Sequence, residues 1–275
     1  MRIDAHQHFW VFNEARDTWI TEEMHAIRRD FLPHDLKPLL EANGMDGCIA
    51  VQADPSDHET SFLIELAHKH RFIKGVVGWI DLKAGSLEAQ LEKYADQKVL
   101  KGFRHILQAE PDGFMSDPKF IKGVSTLARH RYTYDILIYE RQMAEAITFI
   151  NSLPEMPLVI DHLAKPGIKE GALQEWGQMM KRLASYPHVY MKLSGMITEA
   201  DWSDWKNEDL YPYMEVALEA FGPERLMFGS DWPVCRLAGN YQEVIQTVES
   251  FISSLSPPEK QKIMGKNAVK FYGLE

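Results

Sequence analysis

Cysteine is nearly absent from this chain. The two thiols present, Cys48 and Cys235, form no CxxC pair and no disulfide framework, so a disulfide-stapled fold is excluded and two buried thiols are expected. Long apolar runs are missing as well; none approaches the roughly 18 residues that cross a bilayer. No charged and apolar leader precedes the first strand-like run, and the sequence reads as a cytoplasmic protein. Basic stripes are also lacking. Thirty Lys and Arg against 40 Asp and Glu leave a net charge of −10. That balance argues against nucleic acid or an anionic membrane surface as partner. No GxGxxG follows the first strand-like run, which lowers the case for a dinucleotide-binding open sheet. No repeat, low-complexity tract or linker divides the chain.

What is present is a large apolar fraction, 45% of 275 residues, enough for one core and a single domain over residues 1–275. Eight strand-like runs recur: RIDAH at the start, then 47–54, 72–82, 100–107, 132–139, 157–163, 189–195 and 225–232. They are rich in Val, Ile, Leu and Tyr and largely free of charge, as buried parallel strands are. Helix signals separate them. Ser56 and Glu59 have capping-box spacing. Asp117-Pro118 reads as an N-cap followed by Pro at the first helical position. Met143, Ala146, Ile147 and Ile150 repeat at helical spacing, as do Leu173, Trp176, Met180 and Leu183. Gly222-Pro223 ends the seventh helix. Alternating β and α units of this number predict an α/β fold, a (β/α)8 barrel, with an open doubly wound sheet as the runner-up.

In such barrels chemistry gathers at the C-terminal strand ends. The first strand carries His6 and His8 at period-2 spacing, on the opposite face from Ile3 and Ala5. Two imidazoles placed so can share a metal or donate to one oxygen. Other strand ends supply Gln52 and Asp54, Trp79 and Asp81, Arg104, His105 and Gln108, Asp161, His162 and Lys165, Lys192 and Ser194, and Ser230, Asp231 and Trp232. Each has a plain structural reading: a strand-end Asp caps the next helix, Arg104 forms a buried ion pair, His105 faces the helices, and Trp10, Trp79 and Trp232 are core. Convergence weighs against that reading, since His6/His8, Arg104, His162 and Asp231 come from four strands that would meet over one mouth.

The ordered set DAHQHFW, GVVGWIDL, GFRH-x-x-Q, DHLAKP, MKLSG, FGSDWPV and GKNAVKFYGL resembles the amidohydrolase superfamily, and within it the sugar-lactonase branch. The resemblance runs the length of the chain and implies a (β/α)8 barrel that hydrolyses a lactone ring. Binuclear members carry a bridging Lys or Glu on the fourth strand and a His on the fifth. Here the fourth offers Arg104 and His105, and the fifth, YTYDILIY, has no histidine. A binuclear site is therefore not expected. One zinc held by His6, His8 and Asp231 would be a non-essential occupant, and no cofactor is required.

The expected reaction is water attack on the carbonyl of a sugar-acid lactone. Asp231 acts as general base, and His6, His8 and His162 act as donors to the developing oxyanion, assisted by Arg104. Gln52, His105 and Gln108 would pair with hydroxyls, and Trp10, Trp79 and Trp232 would face the C–H side of the ring. The segment from Phe9 to Leu32 is a candidate lid. The substrate is the one partner expected; the composition leaves a homo-oligomer open. Two alternatives stand: a metal-dependent amidohydrolase or decarboxylase, and a non-catalytic sugar-acid-binding barrel.

Overall fold

The computed structural model covers Met1–Glu275. Eight strands pair in parallel in chain order: β1 (Ile3–Gln7), β2 (Gly47–Val51), β3 (Ile73–Gly78), β4 (Leu100–His105), β5 (Thr133–Ile136), β6 (Leu158–Ile160), β7 (Val189–Leu193) and β8 (Leu226–Phe228). The ring closes between β8 and β1. The Asp231 N–H donates to the His6 carbonyl at 2.8 Å, and the His8 N–H donates to the Trp232 carbonyl at 2.7 Å. The expected barrel is therefore present, and the open sheet is not.

Helices follow the strands: α1 (Pro33–Ala42), α2 (Asp57–Lys69), α3 (Leu87–Lys93), α4 (Pro118–Arg129), α5 (Met143–Asn151), α6 (Gln174–Ala184), the short α7 (Met196–Glu199), α8 (Asn207–Phe221) and α9 (Tyr241–Phe251). The chain ends in α10 (Pro257–Gln261) and α11 (Asn267–Tyr272). The sequence signals act where expected, with one difference. Ser56 caps α2 by accepting the Glu59 N–H, but the Glu59 carboxylate turns back to the Ala53 N–H at 2.9 Å, so the box is not reciprocal. Asp117 caps α4, and Gly222 ends α8 with φ of 63°. No helix is long and apolar enough to cross a membrane.

Two apolar layers hold the barrel. The larger lies between sheet and helices and includes Phe103, Phe120, Tyr134, Phe149 and Trp176. The smaller fills the barrel interior, where Ile3, Ala5, Ile49, Val51, Val77, Val159, Tyr190 and Met227 meet Phe271, Tyr272 and Leu274. The C-terminal helix thereby stoppers the end of the barrel where the strands begin. Substrate access is left to the opposite, loop-bearing end.

A β-bulge in β1 sets the site. The register with β2 slips between Asp4 and Gln7. Before the slip Ile3 and Ala5 face the interior; beyond it His6 does so as well, reaching Asp161 and Lys192. Strict alternation would have placed the histidines opposite Ile3 and Ala5, and the extra residue corrects that expectation. Asp4 is turned away from the site, where its Oδ1 accepts the N–H groups of His6 (3.1 Å) and Ser230 (2.9 Å) and pins the bulge to the end of β8.

Candidate active site

Above the apolar stopper lies a layer of buried charge. Lys192 of β7 donates to Asp135 of β5 at 2.5 Å and lies 3.0 Å from Asp161, just past β6. The Tyr272 hydroxyl donates to the same Asp135 oxygen at 2.9 Å. Arg104 of β4 donates from Nη1 to Asp161 at 3.1 Å and from Nη2 to the Gln52 carbonyl. Two cations thus face two carboxylates in a layer closed to water, where an unpaired charge would cost several kcal/mol. Burial pushes Asp135 up to about 6. Burial also acts on Asp161, but Lys192, His6 and Arg104 outweigh it and hold that carboxyl well below its ordinary range.

On this layer sit three imidazoles and one carboxylate. His6 Nδ1 lies 3.3 Å from Asp161, and its Nε2 lies 3.3 Å from Arg104 Nη1 and 3.2 Å from His8 Nε2. Asp231 Oδ1 is 3.4 Å from His8 Nε2 and 3.9 Å from the Nε2 atoms of both His6 and His162. Burial holds His6 and His162 well below the usual imidazole value, so both rings are neutral at pH 7. For Asp231, burial raises the carboxyl, but the neighbouring His162, His8 and Lys165 outweigh it, and the carboxyl lies below its ordinary value and is ionised.

Hydrogen-bond partners fix the polarity of two rings. His8 Nδ1 lies 2.7 Å from the Val51 carbonyl, an acceptor only, so that nitrogen carries the proton. Neutral His8 then turns a lone pair, not an N–H, toward Asp231. His6 Nε2 likewise accepts from Arg104. The expected oxyanion donors are therefore, for His6 and His8 in the neutral state, acceptors. His162 packs on Gly195, where a Cβ would come within 2.6 Å of the ring and φ is +64°, so only glycine serves there. His162 also opens a run of four residues, through Lys165, with φ between 48° and 56°. Such a run costs about 1–2 kcal/mol per residue, and it directs His162 and Lys165 to the mouth.

The mouth holds a cavity of about 450 Å³. Its floor is His8, His162, Asp231 and Arg104, with His6 buried beneath. Trp10 and Gln108 line its walls, and the Gln108 Oε1 has no protein partner. His105 leans outward, stacked on Phe114 at 5.0 Å and paired with Glu110 at 2.7 Å, and only borders the cavity. Three expected contacts are not on the wall. Gln52 lies behind it, its amide donating to the Arg104 carbonyl at 3.3 Å. Trp79 is pinned to α2, because the Thr60 hydroxyl bonds both its N–H and its carbonyl at 2.7 Å. Trp232 is packed edge-on against Phe31 and Phe9. The left-handed φ of 56° at Asp231 turns Asp231 inward and its neighbour Trp232 under the first loop.

The walls also hold residues that the sequence reading left out of the site: Arg16, Asp17, Thr18 and Glu110. The first three belong to the charge-rich candidate lid, whose composition was the available signal. That segment is a closed loop. Trp10 and Phe31 exchange N–H···O bonds of 2.9 Å at its neck, and Trp19 packs edge-on to Trp10 over the cavity. Asp135 was also passed over, although a lone carboxylate inside an apolar strand is itself a signal.

The amidohydrolase family model matches residues 3–274. The chain belongs to the amidohydrolase family. An L-fucono-1,5-lactonase of Burkholderia multivorans is 43% identical, covering 100% of this chain and 96% of its own. An L-rhamnono-gamma-lactonase of Scheffersomyces stipitis is 27% identical over 75% of this chain and 70% of its own. An amidohydrolase from B. multivorans, solved with bound zinc, is 42% identical and superposes with a TM-score of 0.98 over 100% of both chains.

The donors of this amidohydrolase fit one metal ion. Zinc bonds of about 2.0–2.1 Å set neighbouring tetrahedral ligand atoms roughly 3.3–3.4 Å apart. His6, His8 and Asp231 form a candidate triad with separations of 3.2, 3.4 and 3.9 Å, and His162 stands beside it. A second, overlapping group is His6, Asp161 and His162. Arg104 competes for the same His6 lone pair that an ion would use.

Proposed function

We propose that this amidohydrolase opens the ring of a small, neutral sugar-acid lactone by water attack, with Asp231 as the general base. The observation that carries the reading is an ionised carboxylate on the floor of the cavity, ringed by three imidazoles. Similarity to an L-fucono-1,5-lactonase along the whole chain supports the lactone class. A six-carbon lactone, a 6-deoxy sugar's first, suits a cavity of about 450 Å³ with Trp10 and Trp19 on one wall.

Asp231 takes a proton from water as its oxygen attacks the carbonyl carbon. The proton is shared with the lone pair of His8 Nε2 and passes to the ring oxygen as the C–O bond breaks. Gln108 and the carboxylates of Asp17, Asp54 and Glu110 accept the hydroxyls of the sugar. Four carboxylates line the cavity (Asp17, Asp54, Glu110, Asp231) against three cations (Arg16, Arg104, Lys165). All three cations are already paired: Arg16 with Asp17 at 2.6 Å, Arg104 with Asp161, and Lys165 with Glu199 at 3.2 Å. A dianionic substrate is disfavoured there, since each carboxylate would want its own cation.

A bound divalent ion would be held by His6, His8 and Asp231 and would supply Lewis-acid polarisation of the carbonyl. We hold it non-essential, because β4 offers Arg104 in place of a bridging Lys or Glu, and the one carboxylate on β5 is spent on Lys192 and Tyr272. A metal-dependent reading is the second in line. It is favoured by the cluster of lone pairs around Asp231 and by the zinc in the 42% identical amidohydrolase.

The experiment is a pH-indicator screen of L-fucono-, L-rhamnono- and D-galactono-lactones and a pyrone dicarboxylate, run before and after chelation. The reading predicts turnover of a neutral lactone that survives chelation, with kcat/KM at least tenfold above the dicarboxylate. Preference for the dicarboxylate contradicts the assigned pocket charge. Activity that tracks zinc content one to one establishes the metal-dependent reading instead, and binding of a lactone without turnover establishes a non-catalytic barrel.

A further inference from the structure

The charge that develops on the carbonyl oxygen needs an N–H donor, and the nearest polar groups are mostly spent. His8 donates to Val51, and His6 lies beneath the floor, accepting from Arg104. Arg104 has committed Nη1 to Asp161 and Nη2 to the Gln52 carbonyl. Arg16, at the rim, donates to both Asp17 oxygens and to the Val11 carbonyl. Lys165 differs. Its ammonium has three N–H groups, and its one protein partner is Glu199 at 3.2 Å. The side chain is 19% exposed and forms part of the cavity wall with Asp231 and His162. Its charge reaches both of those groups.

The backbone is arranged for this placement. The left-handed run from His162 ends at Lys165, whose N–H closes on the His162 carbonyl at 2.7 Å. The turn sets Lys165 beside His162 on the wall of this cavity, and Lys165 also lines a neighbouring surface cavity with Glu199 and Tyr139. Nζ lies 5.4 Å from the centre of the Tyr139 ring and 3.2 Å from Glu199, and these two residues hold the head group at the boundary between the two cavities.

We propose that Lys165 is a further catalytic residue, whose ammonium donates to the carbonyl oxygen of the lactone and carries the negative charge formed there. The inference rests on the lactonase reading above. Water oxygen bonds to the carbonyl carbon, and the π pair moves onto the oxygen facing Lys165. Asp231 holds the water's proton. The pair then returns, the ring C–O bond breaks, and that proton goes to the ring oxygen. The product acid releases its own proton to solvent, and Lys165 ends as it began. Because the charge is largest in the transition state, the contact acts on kcat more than on KM.

The test is steady-state kinetics of Lys165→Met and Lys165→Arg beside the unmodified protein on the lactone it turns over best, with melting curves for each. The expected result is a fall in kcat of roughly 10²–10³ for Lys165→Met, with KM within about threefold and a native melting transition. Lys165→Arg, which keeps the charge, should retain kcat within about tenfold. Where Lys165→Met lacks a native transition, Lys165→Gln decides by the same criterion. A neutral variant that keeps kcat within threefold, or an arginine variant as impaired as methionine, overturns the proposal. A loss confined to KM also overturns it, since that marks a wall residue. Failure of the unmodified protein to open any lactone is a separate outcome and contradicts the lactonase reading itself.

Discussion

At the scale of single residues, identity and position part company. Gln108 and Trp232 were equal candidates by sequence, yet one lines the cavity with a free carbonyl oxygen and the other is packed between Phe9 and Phe31. Gln108→Ala should raise KM for the lactone about two- to tenfold, the worth of one hydrogen bond, at nearly constant stability. Trp232→Ala should instead cost about 3–5 kcal/mol of stability. Michaelis constants and denaturant midpoints on the two variants check the contrast. His6, His8, His162, Asp231 and Arg104 were legible because chemistry-bearing residues at strand ends must converge once a barrel closes. The donor polarity of His6 and His8 was not legible, since it depends on Arg104 and on the carbonyl of Val51, which no spacing in the sequence reveals.

At the scale of elements, all eight strands were readable, but their ends were not. The runs expected at 157–163 and 225–232 leave the ladder at Ile160 and Phe228. The residues beyond, His162 to Lys165 and Asp231, adopt positive φ, and of these His162, Lys165 and Asp231 line the mouth while Leu163 and Ala164 pack into the core. Apolar composition reports burial, and it does not report where the backbone changes hand. The bulge in β1 escaped for the same reason: one extra residue leaves the letters of the strand unchanged. The loop after β2 makes its own prediction. Glu59, buried at the start of α2 and bonded to the Ala53 N–H, is pushed up to about 7, chiefly by burial. The folded state therefore keeps a proton that the unfolded chain releases near 4.5, and stability falls as pH rises from about 4.5 to 7. Glu59→Gln removes that dependence. It should stabilise the protein at pH 8 by roughly 2–4 kcal/mol and change little at pH 4, as read from melting temperatures across that range. A variant no more stable than the parent at pH 8 would contradict the burial of an ionised Glu59.

At the scale of the whole molecule, function follows from a stack. The C-terminal helix closes one end of the barrel with Phe271, Tyr272 and Leu274. A charge layer of Asp135, Lys192, Asp161 and Arg104 sits above it and holds His6 from below. The reacting groups come next, and the loop closed at Trp10 and Phe31 roofs the cavity. Each layer orients the one above through its ion pairs and hydrogen bonds. The most direct measurement of the central claim is the rate of lactone opening by Asp231→Asn against the unmodified protein, both freed of metal and both shown to be folded. Asparagine keeps the shape and removes the proton acceptor. General bases typically contribute roughly 10²–10⁴ in rate. A fall in kcat of about 10²-fold or somewhat more is therefore predicted, and an Asp231→Asn protein that opens the lactone at close to the normal rate would contradict the account.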